Sequence, residues 1–296
     1  MLKILITGSS GFIGTNLIEF LKERNYNYDC ISLRDGIPNI NYDKYNVIVH
    51  LSGIAHDTSL TYQEKDYLSV NYRLTLELFK VFLNSKSVKF ISLSSIKAVC
   101  DESDFLITEK TIENPTSIYG KTKLMTDEYI MNFIKKQNNQ LKQIYILRPC
   151  LIYGINSKGN LNLLNKYINL NLPWFLAAFE NKKSLCNIKN LFFVIENLIS
   201  NNINSGIYNI SDNHVYSTNQ IIKSLAITNN KIIFFIKIPK NIILLSVKFL
   251  DLFNNKNKFK KILNKITHTL VVDNSKIKTA ISKELPYNFN TERIIN

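Results

Sequence analysis

Cysteine, histidine, glycine and acidic residues are all scarce in this chain, and each scarcity closes off some chemistry. The four cysteines, Cys30, Cys100, Cys150 and Cys186, are far apart and form no Cys-x-x-Cys pair. That argues against a disulfide framework or a zinc ribbon and fits a reducing cytoplasm. The four histidines, His50, His56, His214 and His268, show no metal-ligand spacing, so no metal is expected. No Gly-x-Ser-x-Gly elbow is present to support Ser/His/Asp hydrolysis. No apolar stretch approaches the roughly 20 residues of a membrane span. The chain starts almost directly on the apolar run 2–6, without the charged start, longer apolar stretch and small-residue cleavage site of a signal peptide. The cytoplasm is therefore the expected compartment. Internal repeats and low-complexity linkers are also missing.

Acidic residues number 23 against 37 lysines and arginines, a formal charge of +14. Such a surplus raises nucleic acid as a partner. The lysines are spread along the chain, however, and no aromatic-rich RNA motif or DNA-reading module accompanies them, so no nucleic acid is expected. The densest cluster is Lys256, Lys258, Lys260, Lys261 and Lys265. A solvated helix face is the plain reading. Peripheral contact with an anionic membrane surface is the sharper one, because the apolar run 242–253 precedes the cluster.

What is present is a core-forming chain. It has 296 residues, 45% of them hydrophobic, enough for one large α/β domain or a domain with a smaller lobe. Strand and helix patterns alternate. Residues 2–6, 28–33, 47–51, 88–93 and 143–147 read as strands. Residues 12–23, 60–83 and 117–134 read as helices, with Ile13, Leu17 and Leu21 on one side of the first. This order predicts parallel strands joined by covering helices. The segment between Arg34 and Val47 is too short for a helical crossover and carries Gly36 and Pro38. After Pro149 the pattern loosens: 161–170, 191–200 and 218–225 look helical and 207–210 looks like a strand. The expected fold is a Rossmann-type, doubly wound parallel sheet with a smaller mixed α/β C-terminal substrate lobe. Residues 1–150 would form the dinucleotide-binding domain and 151–296 a lobe interleaved with it.

Three of the nine glycines, Gly8, Gly11 and Gly14, fall in Thr7-Gly8-Ser9-Ser10-Gly11-Phe12-Ile13-Gly14, between the first strand and first helix. Gly8 suits a tight turn, Gly11 a close approach of backbone to a pyrophosphate, and Gly14 close packing of the helix. The pyrophosphate would meet the N–H groups at the helix start. The second strand ends in Ile31-Ser32-Leu33-Arg34. Arg34 could pair with a ribose 2′-phosphate and Asp35 with ribose hydroxyls, so NAD and NADP both stand.

Further on, the strand 88–93 runs into Ser94-Ser95. A serine at the carboxyl end of a central strand faces the usual ligand crevice, although it could equally cap backbone groups there. Then comes Ser117-Ile118-Tyr119-Gly120-Lys121-Thr122-Lys123. Tyr119 and Lys123, four apart, share a helix face. There an ammonium would lower the phenol's pKa and ready it to exchange a proton with a substrate hydroxyl. That is the proton half of a hydride transfer. Ser95 would orient the reacting oxygen. His50 is expected in the fourth-strand region rather than at the reaction centre, and His56-Asp57, after the strand end Leu51-Ser52-Gly53, offers a further candidate for the crevice wall.

The ordered set of Thr7-Gly8-x-x-Gly11-x-x-Gly14, His50-Leu51-Ser52-Gly53, Val70-Asn71, Ser94-Ser95, Tyr119-Gly120-Lys121-Thr122-Lys123 and Arg148-Pro149 followed by Ile152-Tyr153-Gly154 resembles the extended short-chain dehydrogenase/reductase superfamily, in its nucleotide-sugar epimerase/dehydratase group. The resemblance covers nearly the whole chain. It implies catalysis by Ser95, Tyr119 and Lys123, with Lys123 also holding the nicotinamide ribose. It implies a cofactor site of Gly8, Ser10, Gly11, Phe12, Ile13, Gly14, Arg34, Leu51, Ser52, Gly53, Asn71, Tyr119, Lys123 and Pro149, and a substrate site of Ser95, Ile96, Lys97, Asn160 and Lys183. Lys183 stands where many relatives carry arginine, so a bidentate phosphate clamp would be lost there. A sugar 4,6-dehydratase typically has Asp-Glu straight after its serine or threonine. Here Ile96-Lys97 stand in those places and Asp101-Glu102 come later, which argues against dehydration. Ser94-Ser95-Ile96-Lys97 looks instead like a branch of bacterial surface-polysaccharide pathways. The resemblance thus implies a cytoplasmic NAD(P)-dependent enzyme acting at C4 of a UDP-hexose or UDP-N-acetylhexosamine, a 4-epimerase first and a 4-keto-sugar nucleotide reductase as the alternative. A non-catalytic dinucleotide-binding protein is the remote third reading, which the intact serine, tyrosine and lysine oppose. Homodimers are common among such relatives.

Overall fold

The computed structural model describes residues 2–55, 62–136, 142–154, 157, 160–252 and 258–289. His56-Asp57 and Lys256 lie outside these, as do the side chains of Asn160 and Lys258.

Eleven strands and ten α-helices are found among the described residues. The strands are β1 (Lys3–Thr7), β2 (Asn27–Ile31), β3 (Val47–His50), β4 (Lys89–Leu93), β5 (Leu106–Ile107), β6 (Gln143–Pro149), β7 (Leu151–Tyr153), β8 (Lys183–Asn187), β9 (Gly206–Ile210), β10 (Val215–Tyr216) and β11 (Val271–Val272). The helices are α1 (Phe12–Glu23), α2 (Glu64–Tyr67), α3 (Leu74–Asn84), α4 (Ile118–Lys136), α5 (Asn160–Asn169), α6 (Ile188–Ser200), α7 (Thr218–Thr228), α8 (Lys240–Leu252), α9 (Lys258–Thr267) and α10 (Ser275–Ile281). A six-residue π turn, Leu68–Arg73, joins α2 to α3.

Six strands form one parallel sheet in the order β2-β1-β3-β4-β6-β9. The expected Rossmann-type sheet is therefore present. Both of its faces are covered, which is why its strands are apolar at successive positions instead of alternating. Ile4, Ile6, Val47, Val49, Ile91 and Leu147 face one core with Leu17 and Leu21 of α1 and Leu191 and Ile195 of α6. Their neighbours Leu5, Ile48, Phe90, Ile144 and Ile146 face the other, with Leu78, Phe79 and Phe82 of α3 and Ile130 of α4. No helix forms between β2 and β3; a single 3-10 turn, Tyr42–Lys44, makes that connection, as its length required. His50 accordingly ends the third strand of the chain, not the fourth.

The later half contributes to two places. β9 completes the edge of the main sheet beside β6. A second small sheet, β10-β8-β7, sits over a separate core of Leu161, Ile168, Trp174, Leu185, Ile221 and Phe289. The pair β5 and β11 links residues 106–107 to 271–272. The short strands β5, β7, β8, β10 and β11 escape sequence patterning, since two to five residues hold too little periodicity to read.

Candidate active site

Register brings the carboxyl ends of the central strands level: Thr7 pairs with His50, His50 with Ser92, and Leu93 with Leu147. The chain winds outward from β1 toward β2 in one direction and through β3 in the other. Ligands bind at such a switch point, beyond the strand ends. A crevice of about 1280 Å³ opens there, and its wall includes Gly8, Gly11, Phe12, Ile13, Gly14, Leu51, Gly53, Ser95, Ile96, Lys97, Tyr119, Lys123, Pro149 and Lys183.

The glycine loop forms the first part of the wall. A Cβ on Gly14 would lie 2.2 Å from the Gly8 carbonyl oxygen and 2.7 Å from Ser9 Cα, so only glycine lets α1 start this close to the loop. Gly11 caps α1 and supplies no side chain to its first N–H groups. Those donors, beside a glycine-lined wall, fit the pyrophosphate of a dinucleotide.

The second part holds Ser95, Tyr119 and Lys123. Ser95 lies two residues past the end of β4 and caps the 3-10 turn Ile96–Ala98, where its hydroxyl accepts from Lys97 N at 3.2 Å. The same hydroxyl lies against the Tyr119 phenol and favours its ionised form. Capping and site-facing roles, alternatives in sequence, thus coexist in one side chain. Gly120 makes this meeting possible: a Cβ there would lie 2.3 Å from the Lys97 carbonyl oxygen and 2.9 Å from Pro115 Cβ. Without a side chain, α4 packs directly on the turn that carries Ser95.

Lys123 lies one helical turn beyond Tyr119 and donates to the Leu93 carbonyl at 2.8 Å. Burial lowers its pKa to about 8, opposed by the Asp127 carboxylate. Burial pushes the Tyr119 phenol up to about 12; the Ser95 hydroxyl works against the rise, while Asp127 and Tyr67 add to it. The expected lowering of the phenol by Lys123 is therefore not what the protein alone displays. The ammonium is directed at a backbone carbonyl, and desolvation dominates.

Behind the crevice lies a network that sequence reasoning missed. Asp127, four residues past Lys123, pairs with Arg148 at 2.8 Å, and both are buried. Ser94 donates to the same carboxylate at 2.8 Å, and Arg148 reaches Glu113 at 3.3 Å. The 4-residue spacing Tyr119, Lys123, Asp127 was the available signal. Asn71 is fully buried in the π turn; it accepts from Ile54 N at 2.8 Å and donates to Ile54 O at 3.0 Å. It fixes the loop carrying Gly53 from behind instead of lining the crevice. His50 is enclosed between Thr7 (2.7 Å) and Thr75 (2.9 Å), and burial, with the Lys123 charge, lowers its pKa to about 3. It is a neutral structural residue.

Ser10, Arg34 and Ser52 stand outside the crevice wall. Arg34 is exposed beyond the end of β2. Asn160 opens α5, and its side chain is outside the description. Lys183 lies in the wall; its ammonium donates to the Lys265 carbonyl at 3.0 Å, and burial lowers its pKa to about 8. Lys261, Asn264, Lys265 and His268 of the α9 region close the same wall. Among the described lysines of the late cluster, Lys261 and Lys265 thus line the crevice, where a solvated helix face had been expected. Asp101 accepts from Thr116 and Ser117 in front of Tyr119, and His268 pairs with Glu102. Positions 96 and 97 present a buried isoleucine and an exposed lysine, with no carboxylate pair. No group of three or more potential metal ligands occurs among the described residues.

Known proteins agree with this geometry. The family described as the NAD dependent epimerase/dehydratase family matches residues 4–185. A UDP-glucose 4-epimerase of Vibrio cholerae is 28% identical over 308 residues, covering 96% of this chain and 90% of that protein. An N-acetyl-α-D-glucosaminyl-diphospho-undecaprenol 4-epimerase of Escherichia coli O157:H7 is 24% identical over 247 residues, covering 77% and 72%. Among solved structures, a UDP-glucuronic acid 4-epimerase from Bacillus cereus in complex with NAD superposes with a TM-score of 0.73 at 19% identity, covering 99% of this chain and 94% of that one.

Proposed function

This chain belongs to the NAD-dependent epimerase/dehydratase family, and we propose that it is an NAD-dependent 4-epimerase of a UDP-hexose or UDP-N-acetylhexosamine that serves surface-polysaccharide synthesis. The observation that carries this reading is the contact of Ser95 with Tyr119, beside Lys123, in a crevice continuous with the Gly8–Gly14 cradle. The two relatives act on hexoses carried on a diphosphate, in one case on uridine and in the other on undecaprenol. Lys183, Lys261 and Lys265 in the crevice wall suit a diphosphate of this kind. The superposed UDP-glucuronic acid 4-epimerase is in complex with NAD, which favours NAD over NADP here.

The glycine loop and the start of α1 hold the cofactor's pyrophosphate. When bound, NAD would supply the hydride acceptor and donor for C4 and a positive charge beside the phenol. Tyr119 removes the C4 hydroxyl proton, leaving a 4-keto sugar, and gives the proton back after the sugar has turned its other face. Ser95 orients the C4 oxygen. Lys123 would hold a ribose of the cofactor and, as an ammonium one helical turn from Tyr119, would favour the phenolate once the site is filled. Ile96 and Lys97 stand where a dehydratase would carry its carboxylate pair, which argues against proton exchange at C5 and C6 and against dehydration.

The test is incubation with UDP-glucose and UDP-N-acetylglucosamine, with no cofactor added, followed by NMR of the sugar. Conversion to the C4 epimer is expected, and Tyr119→Phe should slow it by about 10²–10⁴-fold while folding is kept. Turnover only when NADPH and a 4-keto sugar are supplied would replace this reading with the reductase. Wild-type turnover in Tyr119→Phe would remove Tyr119 from the chemistry.

A further inference from the structure

Helix α8 breaks the rule that the rest of the fold obeys. Eight of its thirteen residues are isoleucine, leucine, valine or phenylalanine, yet none is buried. Leu245 is 69% exposed and Leu252 70%. A helix apolar on most sides normally lies inside a core or against lipid. The main packing partner of α8 is α9. The segment before it is open as well, with Ile232 81% and Phe234 72% exposed. A continuous stretch of chain from 232 to 252 thus offers large apolar side chains to the outside, beyond what scattered surface residues would give.

The charge of the same region is one-sided. Residues 218–268 carry ten lysines and a single acidic residue, Asp251. That is 10 − 1 = +9 of the chain's +14, in 51 of 296 residues. Asp251 is itself engaged: its carboxylate accepts from Phe259 N and Lys260 N, both at 3.1 Å, at the start of α9. A carboxylate there answers the helix dipole, and the segment holds no other acidic residue to offset its lysines. Lys237, Lys240, Lys248 and Lys260 are all exposed.

We propose that residues 232–252, with the lysines around them, form a docking surface for an anionic lipid bilayer. Thirteen helical residues reach about 20 Å, short of the roughly 30 Å of a bilayer core, so α8 lies in the membrane surface and does not cross it. A second copy of the chain fits poorly, because a homotypic contact would oppose two segments of +9. Nucleic acid would satisfy the lysines and leave the leucines in water. A bilayer with acidic headgroups meets both. Because α9 packs along α8 and supplies Lys261 and Lys265 to the crevice wall, docking holds that edge of the crevice close to the headgroups. This inference is independent of which sugar the crevice takes.

The test is co-sedimentation of the full chain with vesicles of phosphatidylcholine alone or mixed with phosphatidylglycerol. The protein should pellet only with the mixed vesicles. Binding should weaken steeply with salt, as the screening length falls from about 8 Å at 0.15 M to about 3 Å at 1 M. The double variant Leu245→Glu, Leu252→Glu should stay in the supernatant, with an unchanged melting temperature because both side chains already face outward. Lys237→Gln and Lys240→Gln should each weaken the partition by about fivefold. Failure to pellet with phosphatidylglycerol, or pelleting that both sets of variants leave intact, overturns the proposal. So does a dimer in sedimentation velocity that Leu245→Glu dissociates while vesicle binding is absent.

Discussion

Replacing Gly120 by alanine adds one methyl group at the point where α4 meets the turn carrying Ser95. The new Cβ would lie 2.3 Å from the Lys97 carbonyl oxygen, 2.9 Å from Pro115 Cβ and 3.0 Å from Ser117 Oγ. Relief to an ordinary contact requires a displacement of about 1 Å. Alanine's better helix propensity is worth about 1 kcal/mol in the variant's favour. Overpacking at a rigid backbone contact costs about 1–3 kcal/mol, so the net change is destabilising, with a melting temperature lower by about 2–4 °C for each kcal/mol. α4 cannot easily retreat, because Thr122, Lys123, Thr126, Asp127 and Ile130 anchor it below. The movement therefore falls on Ile96–Ala98 and carries Ser95 away from Tyr119. A misplacement of about 1 Å at reacting groups costs on the order of 10²-fold in rate. NAD affinity should change little, since the Gly8–Gly14 loop is a separate part of the wall. Thermal melts, an NAD titration and the epimerisation rate measured side by side would separate these effects. A Gly120→Ala protein with wild-type melting temperature and wild-type rate would refute the close-contact argument.

Two further outcomes follow from the buried charges. Asp127→Ala leaves Arg148 buried opposite only the partly exposed Glu113, so urea unfolding should show a loss of about 3–5 kcal/mol, and Asp127→Leu combined with Arg148→Met should recover much of it; equal losses in single and double variants would contradict the pairing. The Lys123 pKa is lowered to about 8 from 10.5 by burial, so the unfolded chain binds the proton more tightly and stability should rise with pH between those values. Lys123→Met should flatten that rise in pH-dependent unfolding, whereas an unchanged slope would place the perturbed group elsewhere.

The sequence by itself determined the elements whose residues repeat a pattern. The strands 47–50 and 89–93 were legible because burial on both faces makes successive residues apolar, and the helix 12–23 because its buried residues recur on one side. The glycine loop, Ser95, Tyr119 and Lys123 were legible because their order along the chain matches the order of parts in a parallel sheet. Contacts between segments far apart in sequence were decided only by the tertiary structure. Asp127 and Arg148 are 21 residues apart, and Lys183 meets Lys265 across 82; no local pattern encodes such distances. The protonation of Tyr119 belongs to the same class, since spacing puts an ammonium on the right helix face, but burial decides which way the phenol shifts. The apolar run after Pro239 makes the point most plainly. Its composition is that of a core helix, and only the packing of the remainder of the chain shows that no core is there to receive it.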